Sequence, residues 1–367
     1  SALHTAGADS VISVGGGTIS TAADADKSHN FYAARVEKGT VNINMKNGAP
    51  GSARTNIIGD MYVTGQYGKK VIEYSGGQLA DWQHRGNLHV ALTDKDSSWT
   101  GVAAYEQYND NYGSGGNTMH DIGNFDLYLQ NGATWTNEQQ SHVTTTTLAG
   151  KNPVYNGSYL MKLHGGSDAV HKGYIYQKDS KPITVDNYSG HTLVFYDHTG
   201  DGSAAENYSA GDFRIKTAEE GSSITLRTGA GGINTADKTA AGKALNSLAN
   251  KLYYMSYAQG DTKLKGTVEI AEGLTSSSVS ASGDIAFRTD TAADKNGQGT
   301  YVYEPEEPLD GPIIKDRLLK GETTVTADDT HAEDGYVSAA YNGDDSITVD
   351  MANHGLRLEA ASSASAK

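Results

Sequence analysis

Three side chains with acid or base chemistry lie in alternating segments of the chain: Glu73, His89 and Asp126. If these segments stack as strands, the three side chains would face outward on one surface. Clustered carboxylates with a base or a bound cation are what polysaccharide lyases and hydrolases need. The spacing does not show that the three meet, and carboxylates on a chain of net charge −15 are mostly solvated surface. We therefore predict that the protein is not an enzyme, and keep glycan cleavage as a third hypothesis.

Phosphate and metal sites have little support from the motifs. Gly15-Gly16-Gly17 is followed by no Lys-Ser or Lys-Thr pair, so it predicts a turn rather than a phosphate-binding loop. Residues 197–202 place two aspartates near a glycine turn, but they lack the closing glutamate of a calcium loop and are interpreted as an acidic loop. The 12 histidines are scattered, with no pair at metal-ligand spacing on a helix. We predict no metal and no cofactor.

The best candidates for ligand contact lie in residues 105–120, a segment rich in tyrosine and asparagine that has no apolar periodicity. Tyrosine supplies a large, stiff, half-polar surface at low entropic cost, which recognition loops use. A loop that only faces solvent is the alternative interpretation. Trp99 and Trp135 occupy equivalent positions of a repeat and are predicted to stack as structural aromatics. The predicted ligand-binding residues are Trp82, Tyr105, Tyr108, Asn109, Asp110, Asn111 and Tyr112.

One strand–turn–strand pattern occurs twice and determines the predicted fold. The first copy is residues 87–92 followed by residues 98–100, and the second is residues 124–129 followed by residues 134–136. Apolar and polar residues alternate in both copies, as they do in half-buried strands. Such a unit cannot bury its own apolar face and must stack on a copy of itself. We predict an all-β fold, a right-handed parallel β-helix (β-solenoid) with one decorating α-helix and extended loops.

Two further segments give specific structural predictions. Residues 40–45 alternate as a strand does, which predicts that Asn44 points outward. Residues 237–254 place alanine and leucine at helical spacing, with Thr235 or Asp237 as the N-cap. We predict a single amphipathic helix in this segment, and we expect it to cover an open edge or flank of the stacked strands.

The domain organisation is predicted from a proline-rich segment and a long-range repeat. Residues 304–312 contain three of the six prolines, which is typical of a stiff linker. Beyond this segment, residues 346–351 repeat the apolar pattern of residues 40–45. We therefore predict one module at residues 1–303, a linker at residues 304–312, and the start of a second, tandem copy at residues 313–367.

Composition and charge argue against several classes of partner. The net charge of −15 includes no basic block of the kind that follows a phosphate backbone, so nucleic acid is not a predicted partner. No apolar run approaches the ~20 residues of a membrane helix. The chain has no cysteine, so its stability does not come from disulfides.

The second copy of the repeat resembles the rung motif of autotransporter passenger domains. The residues that carry this resemblance follow the pattern Leu-x-Leu-x-Asn-Gly-Ala-x-Trp and are Leu127, Leu129, Asn131, Gly132, Ala133 and Trp135. Residues 183–190, followed by residues 192–196 and 212–216, are similar to the rungs near the folding-promoting end of such passengers. The helix at residues 237–254 departs from the usual pattern, and the family's C-terminal membrane barrel is not found in this sequence.

The resemblance implies a pertactin-like passenger, exported across the outer membrane of a Gram-negative bacterium and anchored there by a β-barrel. It implies a non-catalytic adhesin at the cell surface that binds a host or bacterial surface glycan or protein. Self-association of passengers, driving autoaggregation and biofilm formation, is the alternative hypothesis. Some such passengers are serine proteases with Gly-Asp-Ser-Gly at the nucleophile. The nearest match here ends at Ser346, which is predicted to begin a strand instead.

Overall fold

A computed structural model describes residues 1–7, 9–21, 29, 31–63, 86–105, 123–141, 157–199 and 208–287, and five short stretches beyond residue 312. Within these residues the chain is mostly β, as the sequence predicts, with long parallel sheets and one α-helix. Short alternating segments bounded by turn residues favour such strands. No helix in these ranges is long and apolar enough to cross a membrane.

The strands are short and are numbered in chain order. Those before residue 64 are β1 (Leu3–Thr5), β2 (Val11–Val14), β3 (Gly17–Ser20), β4 (Tyr32–Val36), β5 (Gly39–Ile43), β6 (Met45–Lys46), β7 (Ala49–Pro50), β8 (Thr55–Ile58) and β9 (Asp60–Val63). Those between residues 86 and 197 are β10 (Gly86–Leu92), β11 (Ser98–Thr100), β12 (Ala103–Tyr105), β13 (Asn124–Leu129), β14 (Thr134–Asn137), β15 (Ser158–His164), β16 (Gly173–Gln177), β17 (Ile183–Ser189) and β18 (His191–Tyr196).

The rest of the described chain contains the helix as well as strands. The elements are β19 (Phe213–Ala218), β20 (Ser223–Thr228), α1 (Lys238–Ala249), β21 (Leu252–Tyr254), a 3₁₀ helix (Met255–Gln259), β22 (Lys265–Ala271) and β23 (Val279–Ala286). The strands beyond residue 312 are β24 (Ile313–Ile314), β25 (Ser338–Tyr341), β26 (Ile347–Met351), β27 (Leu356–Ala361) and β28 (Ser365–Ala366).

Successive strands join three long sheets in turn. The four-stranded sheet has the order β1-β4-β9-β12, and the eight-stranded sheet has the order β2-β5-β10-β13-β15-β17-β19-β21; both are parallel. The ten-stranded sheet has the order β3-β8-β11-β14-β16-β18-β20-β22-β23-β24 and is parallel as far as β22, after which β23 and β24 are antiparallel. From β15 to β20 the chain alternates between the eight- and ten-stranded sheets, so each new strand pairs with the strand that entered the same sheet before it.

The repeat in the sequence sets the register of the pairing. Leu92 pairs with Leu129 in the eight-stranded sheet, and Trp99 pairs with Trp135 in the ten-stranded sheet. The two indole rings are fully buried and stack with centroids 4.7 Å apart and planes 2° apart. Nε1 of Trp99 donates to the backbone carbonyl of Gly59 at 3.1 Å, and Nε1 of Trp135 donates to that of Gly101 at 2.9 Å. The prediction of a stacked structural pair is confirmed.

Inward side chains from all three sheets form one apolar core. Alternation along each strand sends every second side chain to this interior, where it escapes water. Representative fully buried members are Val36 and Met61 from the four-stranded sheet, Val41, Val90, Leu127 and Val185 from the eight-stranded sheet, and Ile57, Ile175, Val194 and Leu226 from the ten-stranded sheet.

Asn44 lies inside, so the prediction that it points outward is wrong. Its backbone is left-handed (φ +52°), a conformation that asparagine tolerates, and β5 therefore ends at Ile43. The side chain turns into the interior, where Nδ2 lies 3.1 Å from the carbonyl oxygen of Gly51, 2.9 Å from that of Ala53 and 3.0 Å from that of Ala91. The backbone N–H of Ala53 donates to its Oδ1 at 3.2 Å. These bonds compensate for burying the amide.

The helix starts where the sequence predicts but ends earlier. Asp237 is the N-cap, because its Oδ1 accepts from the backbone N–H of Ala240 at 3.2 Å. Residues 252–254 form β21 instead of a last helical turn, and β21 pairs in parallel with β19. Leu252 fits both the helical and the strand period. It joins a strand because the edge of β19 is free to pair with it. As expected, the helix covers a flank of the stacked strands, and its buried apolar residues are Ala241, Ala244, Leu245, Leu248 and Ala249.

The described stretches near the C-terminus include an antiparallel sheet in the order β25-β26-β27-β28. The long-range repeat predicts a strand at residues 346–351, and β26 lies there. β26 pairs antiparallel with its neighbours, whereas β5, at residues 39–43, pairs in parallel. The linker at residues 304–312 lies outside the described residues. The division into a module, a linker and a tandem copy stays a prediction.

Candidate functional site

Most of the predicted contact residues lie outside the part of the chain that the structure describes. These are Trp82, Tyr108, Asn109, Asp110, Asn111 and Tyr112. Tyr105 is the last residue of β12, and only its backbone is described. Their role in ligand contact stays a prediction. The described chain instead offers two outward surfaces, one on each of the two longest sheets.

The first surface, here called the polar face, is the outer side of the eight-stranded sheet. Strand register aligns one outward residue from each of seven strands in a single column across this sheet. The column consists of Ser13, Asn42, His89, Asp126, Lys162, Asn187 and Thr217. Neighbouring strands lie about 4.7–4.9 Å apart, so side chains adjacent in the column are within reach of one another.

Side chains on the polar face pair across the strands. Nδ1 of His89 lies 3.2 Å from Oδ2 of Asp126, and Nδ2 of Asn124 donates to Oδ1 of Asn87 at 2.7 Å. The imidazole is 29% exposed and the carboxylate 15%. The other oxygen of Asp126, Oδ1, is buried without a hydrogen-bond partner among the described residues. The face is therefore largely held by contacts among its own residues.

An aromatic pair lies beside this column. The rings of Tyr128 and His164 stack with centroids 4.3 Å apart and planes 14° apart, and Nδ1 of His164 lies 3.0 Å from Oγ of Ser189. Burial lowers the pKa of His164, although the charge of Asp126 opposes this shift. Burial, assisted by the same carboxylate, raises the pKa of Tyr128. Both rings are therefore favoured in their neutral forms, which suits stacking.

The structure brings together two of the three residues considered for glycan cleavage. His89 and Asp126 form an imidazole–carboxylate pair, whereas Glu73 lies outside the described residues. Such a pair can serve as a general base when it lies within about 3 Å of the proton it removes. Ser13, a hydroxyl in the same column, lies two strands away from His89, which is about 9–10 Å at the usual spacing. These two residues therefore do not form a nucleophile–base pair. Among the described residues, no group of three or more His, Cys, Asp or Glu could hold a metal ion.

The second surface, here called the aromatic strip, lies on the outer side of the ten-stranded sheet. It consists of Lys172, Tyr174, Tyr176 and Lys178, which alternate along and beside β16 while Gly173, Ile175 and Gln177 are buried between them. Both tyrosines are half-buried. Sequence analysis missed this surface, although the period-two pattern Lys-x-Tyr-x-Tyr-x-Lys is readable at residues 172–178.

Apolar side chains beside the strip hold its rings in place. Phe195 on β18 meets the ring of Tyr176 edge-on, with centroids 5.4 Å apart and planes 69° apart. Phe195 clusters with Leu193 and Leu274, and both tyrosines of the strip pack against this cluster. The ammonium of Lys178 lies 5.7 Å from the centre of the Tyr176 ring. It also pairs with Asp197, which fits the interpretation of that aspartate as part of an acidic surface loop.

A buried arginine fixes the loop that borders the strip. Nε and Nη2 of Arg227 donate to Oε2 of Glu269 at 3.0 and 2.6 Å, and Nη1 donates to the carbonyls of Leu274 at 2.6 Å and Ser276 at 3.0 Å. Lys172 reaches across β18 to β20, where its Nζ lies 3.5 Å from Oγ1 of Thr225. Burial lowers the pKa of Lys172, although the charge of Glu269 opposes this shift.

Two further carboxylates are buried and have structural partners. Asp60 accepts from the backbone N–H groups of Val102 at 3.0 Å, Gln140 at 3.0 Å and Ser141 at 2.8 Å, and from Oγ of Ser141 at 2.9 Å. Asp186 accepts from the hydroxyl of Tyr159. Burial raises the pKa of both carboxyls, and the hydrogen bonds oppose that shift. Asp60 thereby ties residues 140–141 to the start of β9.

Comparison of the chain with protein-family models, with curated proteins and with solved structures finds no match.

Proposed function

We propose that the chain forms a right-handed parallel β-helix and acts as the passenger of a pertactin-like autotransporter, a non-catalytic adhesin at a bacterial cell surface. Its partner is a glycan or protein on a host or bacterial surface. Export across the outer membrane, and anchoring of the native chain by an outer-membrane β-barrel, belong to the same proposal and rest on the sequence resemblance.

The observation that carries the proposal is the order in which the chain enters its parallel sheets. Between β1 and β14, every turn of the chain adds one strand to each of the three sheets. After β14, every turn adds one strand to the eight-stranded sheet and one to the ten-stranded sheet. This is the connectivity that a β-helix requires. Crossovers between parallel strands of one sheet are right-handed in nearly all known proteins, which supports the proposed hand.

The turn in the resembling motif gives a second line of support. Asn131 and Gly132, between β13 and β14, both have left-handed backbones (φ +54° and +84°). Asparagine and glycine are the residues that most easily adopt this conformation. Nδ2 of Asn131 also donates to the carbonyl of Thr93 at 3.0 Å, which ties the turn to the preceding one. The motif therefore has a physical reason to recur at corners between stacked strands.

A stack of this kind suits adhesion because its outer surfaces repeat. Side chains on successive strands present similar groups about every 4.8 Å, so one long ligand can meet many weak contacts at once. Linked weak contacts raise overall affinity far above that of any single contact. The polar face and the aromatic strip are two such surfaces.

The direct test is binding of the purified chain to a glycan array and to intact host and bacterial cells. Saturable binding without release of products would support the proposal. A variant lacking residues 106–120 tests the predicted contact segment, and equal binding by both proteins would remove that segment from the site. Release of reducing ends from a polysaccharide, lost in His89→Gln, would contradict the proposal in favour of the glycan-cleaving enzyme.

Self-association is the second candidate function, and one observation favours it. The three sheets begin together at β1, β2 and β3, and no described strand pairs with their outer edges. Val11 on β2 is 64% exposed at this end. Unpaired strand edges are templates for pairing with another chain. Light scattering across concentration tests this function, since self-association requires a growing dimer fraction that Val11→Lys reduces.

A further inference from the structure

We propose that the aromatic strip binds acidic glycans, oligosaccharides that carry uronate or sialate carboxylates. This inference rests on the proposed adhesin function and names the ligand class and the place where it binds. The ligand would lie on the rings of Tyr174 and Tyr176, with a carboxylate directed to Lys172, because Lys178 already pairs with Asp197.

The two tyrosines form a prearranged platform. They are two residues apart on β16, so their Cα atoms are about 6.6–6.8 Å apart on the same side of the strand. The cluster of Leu193, Phe195 and Leu274 packs against both tyrosines from the side of β18, and both tyrosines stay partly exposed. The apolar faces of sugar rings pack well on aromatic rings, and a supported ring loses little conformational freedom when it binds.

The charges near the platform favour an anionic ligand. Lys172 is half-buried, and among the described residues the polar contact of its ammonium is a hydroxyl, that of Thr225. The nearby carboxylate of Glu269 is already bonded by Arg227. A ligand carboxylate at Lys172 would therefore provide the opposite charge that this partly desolvated cation lacks.

The surroundings of β16 favour a glycan over an acidic peptide. An extended peptide usually binds a sheet by adding a strand to a free edge, but β16 is paired with β14 on one side and β18 on the other. Thr134 and Thr136 on β14 lie in register with Tyr174 and Tyr176 and are also half-buried. Their hydroxyls add donors and acceptors beside the rings that match the hydroxyls of a sugar.

Calorimetric titration of the purified chain tests the inference. The probes are sialyllactose and a galacturonate oligosaccharide, with lactose as the neutral control and polyglutamate as the acidic peptide control. The variants are Tyr174→Ala with Tyr176→Ala, and Lys172→Gln. The matched controls are Tyr128→Ala and Lys162→Gln, which change the same residue types on the polar face. Circular dichroism of each variant confirms that it is folded.

We expect the acidic glycans to bind wild type and both control variants equally, within about twofold. The double tyrosine variant should lose roughly tenfold or more in affinity, and Lys172→Gln roughly tenfold because a charge-assisted hydrogen bond is lost. Equal loss in the control variants, or equal binding of lactose or polyglutamate, would overturn the inference. If acidic glycans do not bind while cells or other glycans do, the inference fails and the adhesin function stands; if nothing binds, both fail.

Discussion

The polar face and the aromatic strip are built by the same alternation on two different sheets, yet their side chains are used differently. On the polar face, His89 contacts Asp126, Asn87 contacts Asn124, and Tyr128 stacks on His164, so most groups there bond to one another. On the strip, two half-exposed rings lie near a lysine that has no carboxylate partner among the described residues. Outward alternation alone therefore does not mark a binding surface.

Both surfaces lie over the same apolar core, so we expect the largest loss of stability from a substitution at the centre of that core. Trp135→Ala should lower the free energy of unfolding by about 3–5 kcal/mol, because it removes a fully buried ring from the stack with Trp99. Urea unfolding measures this loss, and Trp135→Phe, which keeps an aromatic ring, should lose less. A loss below about 1 kcal/mol for the alanine variant would mean that the two rings do not share the core as described.

The second largest loss of stability is expected from a residue that supports the aromatic strip and not the polar face. Arg227→Met should destabilise the protein by about 3 kcal/mol, because it leaves Glu269 as a partly buried charge without its partner and frees the carbonyls of Leu274 and Ser276. Arg227→Lys should recover only part of this loss, since one ammonium cannot replace the planar fork.

Hydrogen exchange locates the effect of Arg227→Met. Amide protection should fall at residues 272–278 beside the strip, and it should stay unchanged at residues 87–92 under the polar face. An equal fall at both places would show that the arginine supports the whole stack instead of one loop.

A smaller effect is expected on the polar face itself. His89→Gln and Asp126→Asn should each change the free energy of unfolding by less than about 1 kcal/mol, because the pair is partly exposed and screened by solvent. A double-mutant cycle isolates the interaction between the two side chains. Glycan affinity should not change in either variant. A tenfold loss of affinity would move the binding site from the strip to the polar face.

The smallest effect is a pH dependence at His164. Its pKa is lowered from the ordinary 6.5, so the unfolded chain takes up this proton more readily than the folded chain. The stability that His164 contributes is therefore fully present above pH 6.5 and declines as the pH falls through the lowered pKa. Acidification from pH 7.5 to 5 should lower the melting temperature of wild type more than that of His164→Gln. Equal slopes would show that burial does not disfavour the charged ring.

Several features of the fold follow directly from local sequence. The alternation in the two repeat copies predicts the strands, and their similarity predicts that Leu92 meets Leu129 and Trp99 meets Trp135. The cap at Asp237 predicts the start of the helix. These predictions succeed because side-chain period and capping depend on residues within one or two turns of the chain.

Other features depend on partners far away in the sequence. Asn44 turns inward because carbonyls at residues 51, 53 and 91 surround its amide, and Leu252 joins a strand because β19 has a free edge.

The sequence by itself determined the strands of the two repeat copies, which of their faces is apolar and that the copies stack. Only the tertiary structure decided that Lys172 reaches Thr225 and that Arg227 holds a loop 47 residues further on, at Leu274. The physical reason is that lateral neighbours in a stack of parallel strands are set by the lengths of the intervening turns and loops, which no local period encodes.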